Sequence, residues 1–200
     1  MRIEAPFVIA LLTAMPAAAD DLDVRAVAMF EAAYGPDQCL RYRNDREAPT
    51  RREFVVEDTS RDITVTTYEF ACDLGAYNLR QAFLIHTEAD GLRPVAFASP
   101  VPDVHYRQTA ENKDDPYVGP VERIDIVGYK TSMTSINPEV DETTGQIVTR
   151  EMWRGIGDAS SSGIWDLTAG GYVLRRYEID ATYNGEVDPV TVLNLLKDAD

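Results

Sequence analysis

Three rhythms of hydrophobic and polar residues divide this chain. Ala5 to Ala14 is almost continuously apolar, behind the charged start Met1-Arg2-Ile3-Glu4. It runs into Pro16 and Ala17-Ala18-Ala19 before the acidic Asp20-Asp21. A charged start, an apolar centre and a small-residue cleavage site together make a secretory signal peptide. Residues 1–19 are therefore expected to be the signal, and 20–200 a single mainly β domain. The apolar run is too short to span a bilayer and no later run is longer, so no membrane insertion is expected.

The second rhythm is helical. Val27, Phe30 and Tyr34 recur at helix spacing over Asp23 to Tyr34, with Asp21 or Asp23 as cap and Gly35-Pro36 as stop. After that the period falls to two. Strands are expected over Arg52 to Val56 and Ile63 to Tyr68, with a turn at Asp58-Thr59-Ser60 between them. Ala76 to Thr87 and Leu92 to Ala98 flank a hairpin turn that ends in Gly91. Strand pattern returns at Val121 to Ser135 and Gln146 to Arg154, with the turn Asn137 to Gly145 between them. Ile164 to Thr168 then pairs with Tyr172 to Ile179 across Ala169-Gly170-Gly171. Pro100 to Pro120 holds four prolines and several acids, and reads as an irregular surface loop. Pro189 to Lys197 reads as a short closing helix through Val192, Leu195 and Leu196. The fold class is thus a mainly β, antiparallel, sandwich-like domain with an N-terminal helix and a short C-terminal one.

Composition narrows the partners. Thirty-four acidic residues against nineteen basic ones give a formal net charge of −15. Such a chain repels phosphates, which argues against nucleic acid. The acids are spread along the chain, as expected of a solvated surface. Cys39 and Cys72 are the two cysteines. In an oxidising compartment they are expected to form a disulfide, closing a loop worth roughly 3–4 kcal/mol. The rival, a thiol or metal pair, is disfavoured by their wide separation and the absence of a neighbouring histidine.

Catalytic chemistry is hard to find. His86 and His105 are the two histidines, and a metal site would need both together with Asp103 or Glu88. No metal and no cofactor are expected. Ser160-Ser161-Ser162-Gly163 lacks the nucleophile-elbow pattern and reads as a serine turn. Asp114-Asp115 and Asp141-Glu142 are acid pairs of the kind that cleave glycosidic bonds, but adjacent acids on loops are ordinarily just solvated. Asp141 to Gly145 lacks the alternating acids of a calcium loop. Gly155 and Gly157 bend Arg154 to Asp158 sharply, with Arg154 pairing to Asp158 or Asp166.

Two segments are more specific. Cys72-Asp73-Leu74-Gly75-Ala76-Tyr77-Asn78 is followed by Arg154-Gly155-Ile156-Gly157-Asp158, then Trp165-Asp166 and Gly171-Tyr172-x-Leu174. In this order, behind a signal peptide, the chain resembles the bacterial exported proteins of domain of unknown function 1176, over roughly Cys39 to Ile179. It departs from their pattern at Ala159, where a cysteine is expected, and lacks that cysteine's partner nearer the C-terminus. The resemblance implies a compartment and a build without an activity.

The function expected is a non-enzymatic, monomeric, periplasmic binding or envelope-maintenance domain, whose partner is an envelope protein or a cell-wall component. No catalytic residue is assigned. Tyr77, Asn78, Arg154, Asp158 and Trp165 are the candidate binding residues, because aromatics and arginine are common anchors. Alanine at Arg154 or Trp165 is expected to weaken capture and leave stability near normal. The alternatives are an envelope glycan hydrolase using a carboxylate pair, and an inhibitor of a lysozyme-like lytic enzyme acting through a turn at Ser162-Gly163.

Overall fold

The computed structural model describes residues 21–40, 42, 47–59, 61–110 and 119–196. The expected signal peptide, the acid pair Asp114-Asp115 and Lys197 lie outside them. Among the described residues, helix α1 (Asp21–Gln38) precedes twelve strands: β1 (Thr50–Asp58), β2 (Arg61–Leu74), β3 (Leu79–Thr87), β4 (Gly91–Pro94), β5 (Phe97–Tyr106), β6 (Val121–Ser132), β7 (Thr134–Ile136), β8 (Glu139–Val140), β9 (Ile147–Met152), β10 (Ser160–Thr168), β11 (Gly171–Asp180) and β12 (Val190–Asn194). All pairings are antiparallel.

Two sheets and a helix make three layers. The first sheet runs β1-β2-β3-β4, with β7 also on β3; the second runs β12-β11-β10-β9-β8; β5 and β6 form a separate hairpin. Period-two alternation gives each face of the first sheet its own core. Tyr68, Phe70, Cys72, Ala82 and Leu84 point toward Ala26, Phe30 and Tyr34 of α1. Phe54, Val65, Phe83 and Ile85 point toward Ile147, Trp165, Leu167, Tyr172, Tyr177 and Ile179 of the second sheet. Phe30 and Phe70 stack with ring centroids 4.1 Å apart, fixing the helix on its sheet. The Cys39–Cys72 disulfide joins the segment after α1 to the helix-facing side of β2.

Gly35 stands at φ 58, ψ 169 and breaks the helical run where expected. Asp23 does not cap. Its carboxylate accepts hydrogen bonds from Tyr68 Oη at 2.6 Å and Arg51 Nη1 at 3.2 Å, tying the first turn to the sheet. The hairpins β1–β2, β3–β4 and β10–β11 form as their sequence pattern predicts.

Three expectations need correction. Pro100 to Pro120 is not all loop, since β5 carries Pro100 and Pro102 in a strand. Strand β5 pairs only with β6, so a proline on its open side removes no ladder hydrogen bond, and the register shifts between Val101 and Pro102. Pro189 to Lys197 is not helical over its described part. The β-branched Val190, Thr191 and Val192 extend as β12 along the otherwise unpaired edge of β11. Ser160 to Gly163 is no turn either. It lies inside β10, paired with β9 on one side and β11 on the other, and that double ladder outweighs the turn preference of serine.

Candidate functional site

Four of the five candidate residues gather at one end of the two sheets, around the connection from β9 to β10. The loop after β2 brings Asn78 against the end of β9. Asn78 Nδ2 donates to the Met152 carbonyl at 2.8 Å, and its Oδ1 accepts from Met152 N at 3.1 Å. Asn137 completes the brace: Nδ2 donates to Asn78 Oδ1 at 2.9 Å and to the Arg150 carbonyl at 2.8 Å, while Oδ1 accepts from Leu79 N at 2.7 Å. Tyr77 lays its ring over Gly155, where an added Cβ would lie 3.5 Å from the ring.

The turn expected at Gly155 and Gly157 is present. Gly157 takes φ 72, in the region that favours glycine, and its N–H donates to the Arg154 carbonyl at 2.9 Å. Of the two partners open to Arg154, Asp158 is the one it meets. The guanidinium grips the carboxylate through Nε at 2.6 Å and also through Nη2. Asp158 is 1% exposed and also accepts from Gly185 N at 2.9 Å. Hydrogen bonding from Arg154 holds the Asp158 carboxyl well below the usual carboxylate range; the Gly185 N–H adds to this, and burial works against it. The Arg154 guanidinium lies 5.2 Å from the centroid of the Tyr183 ring. These side chains are thus committed to internal bonds that tie the β9–β10 loop to its neighbours.

Trp165 lies apart from them, in the core between the sheets, and is 3% exposed. Its Nε1 points to the Ala98 carbonyl at 3.4 Å. Alanine here removes a buried aromatic, which costs roughly 3–5 kcal/mol. Stability would not stay near normal, and the expectation that it would is corrected.

Trp165 also forms the floor of a cleft. The cavity measures about 110 Å³ and opens between the base of the β5–β6 hairpin, β7 and the inner face of the second sheet. Phe97 and Tyr177 complete the floor, their rings 6.0 and 6.3 Å from Trp165, both edge-on. The hydroxyl residues Ser99, Ser132, Thr134, Ser135, Thr149 and Ser161 line its walls. Burial pushes the Tyr177 phenol up; hydrogen bonding with Ser161 and Ser99 works against this, and the Glu151 charge adds to it. Tyr172 Oη and Arg176 Nε are the sealed, unpartnered side-chain atoms among the described residues. None of the wall hydroxyls is sealed off without a hydrogen-bond partner.

Two charges stand at the cleft. Lys130 pairs in register with Ser99, and Glu151 with Ser161. Lys130 is exposed and Glu151 half-buried, and both line the cleft. Neither comes within 4.0 Å of an opposite charge on a described residue. Sequence reasoning placed Trp165 correctly on a strand but missed the walls. The single legible signal was an unusual run of serines, Ser160 to Ser162, in front of it. A groove of about 660 Å³ between the start of β6 and residues 182–190 is larger. Its lining begins at Gly119, next in sequence to residues outside the described set.

The other candidate chemistry is already engaged. Asp141 Oδ1 accepts from Thr143 N at 2.9 Å and Thr144 N at 2.7 Å, so it stabilises its own turn. Glu142 accepts from Arg52 Nε at 2.9 Å. His105 lies 3.1 Å from Asp125 and 3.4 Å from Asp103. No cluster of three or more metal-ligating side chains occurs among the described residues. Comparison with family models, curated proteins and solved structures finds no match to this chain.

Proposed function

We propose that this chain is a non-enzymatic exported binding domain, working in the periplasm, and that its recognition site is the cleft over Trp165. One observation carries the reading: an aromatic floor, hydroxyl walls and two uncompensated opposite charges converge on a single preformed cavity. The floor is rigid because Trp165, Phe97 and Tyr177 are core residues, so little ordering is needed on binding. A disulfide between Cys39 and Cys72 supports an oxidising compartment. No described helix is long and apolar enough to cross a membrane. The resemblance to the exported family of domain of unknown function 1176 belongs to the same reading.

The test uses the two tryptophans, Trp153 and Trp165, replaced biosynthetically by 5-fluorotryptophan. Fluorine NMR is recorded while small envelope solutes and cell-wall fragments are added, with the Trp165 signal assigned through Trp153→Phe. A saturable shift of the Trp165 signal is the expected result. No shift with any solute would overturn the cleft as a binding site.

A further inference from the structure

We propose that the cleft over Trp165 receives a small free α-amino acid as its zwitterion, with the carboxylate at Lys130 and the ammonium at Glu151. The inference rests on the cleft being the binding site and adds the chemistry of what fills it.

Size sets the first limit. A cavity of about 150 Å³ takes a benzene ring, and this one measures about 110 Å³. That sets an upper size of about six non-hydrogen atoms for what sits inside, which alanine meets.

Charge sets the second. In an acidic chain, arginines such as Arg52, Arg80, Arg123 and Arg175 are each held by a carboxylate. Lys130 is held by none among the described residues, and neither does Glu151 meet a cation there. The two also stay more than 4.0 Å from each other, on different strands, β6 and β9. The gap between them is open to a molecule that carries both charges. A ligand with one charge pairs with one side and gains nothing from the other, whereas a zwitterion pairs with both.

The walls and floor set the third. Serine and threonine hydroxyls both donate and accept, so Ser135, Thr149 and their neighbours can bond to a carboxylate and an ammonium alike. The floor is different, because the rings of Trp165, Phe97 and Tyr177 present an apolar surface. It suits a methyl or hydroxymethyl side chain and leaves no depth for a long one.

The experiment titrates alanine, serine and glycine into the oxidised mature protein, read by the fluorine signal of Trp165 and by calorimetry. Alanine should shift the signal saturably. Lys130→Gln and Glu151→Gln should each raise Kd at least tenfold, with Tm unchanged because neither side chain makes an ion pair with a described residue in the free protein. Propionate and ethylamine, each with a single charge, should bind at least tenfold more weakly than alanine, and phenylalanine should not bind. The proposal is overturned if propionate matches alanine, if phenylalanine matches alanine, or if both variants bind as the wild type does. A shift with another solute but with no amino acid overturns this assignment and leaves the binding-domain reading standing. No shift with any solute overturns both.

Discussion

A methyl group added at Gly163 would lie 2.2 Å from Cη2 and 2.3 Å from Cζ3 of Trp165, so the indole ring can lie down only because position 163 has no side chain. Gly163 and Trp165 are two apart on β10 and share its inner face. The floor of the cleft is thus set by one absent atom. Asp158 shows the opposite economy, a buried charge held by several donors. The unfolded chain takes up a proton at this residue near pH 3.9, whereas the folded carboxyl, gripped by Arg154, protonates only at lower pH. Its stabilising contribution is fully present above the unfolded value and drains away as pH falls toward the folded one. Denaturant melts between pH 6 and pH 2 should therefore show a steeper acid loss for the wild type than for Asp158→Asn. Parallel curves would mean that the carboxylate contributes nothing to the pH dependence. The sequence offered Arg154 two partners, Asp158 and Asp166, without choosing between them. Nor did it signal the burial of Asp158, because that depends on Gly185, which arrives from a distant loop.

Among the elements, β3 shows how far periodicity reaches. Ala82 and Leu84 face the helix while Phe83 and Ile85 face the second sheet, an assignment that alternation predicts and the two cores confirm. Both faces are buried, so β3 reads as a nearly continuous apolar run. Ends of elements are less legible. Strand β12 has β-branched residues of its own but is settled as a strand by the open edge of β11, and β5 tolerates prolines because one of its edges has no partner. The Asn78–Asn137 brace holds β3 to β9 at one end of the sheets through bonds that no local pattern signals. Asn78→Ala leaves the Met152 N–H and the Asn137 amide without their partner. That should cost roughly 1–3 kcal/mol, read by urea melts, with faster hydrogen exchange at Met152. A loss below about 0.5 kcal/mol would mean that water replaces the amide without penalty.

For the molecule as a whole, the disulfide is placed asymmetrically. It joins the segment after α1 to β2 on the helix-facing side and leaves the core between the sheets without a covalent tie. Its loop, a separation of 33 residues, stabilises by roughly 3–4 kcal/mol in the chain-entropy model. Replacing Cys39 and Cys72 together with serine should lower stability by about that amount. Hydrogen exchange should then accelerate more in α1 than in β10 and β11; uniform acceleration would mean that the layers unfold as one unit. The sequence by itself determined the mainly β class, the helix with its stop at Gly35, the main hairpins and the pairing of the two cysteines. Each follows from local periodicity, turn chemistry or a count of two. Only the tertiary structure decided that Tyr77, Asn78, Arg154 and Asp158 serve as internal braces. It alone brought hydroxyls from β5, β6, β7, β9 and β10 together over Trp165. A cleft is made by side chains that meet across layers, and nothing in the order of residues along one strand records which strand will face it.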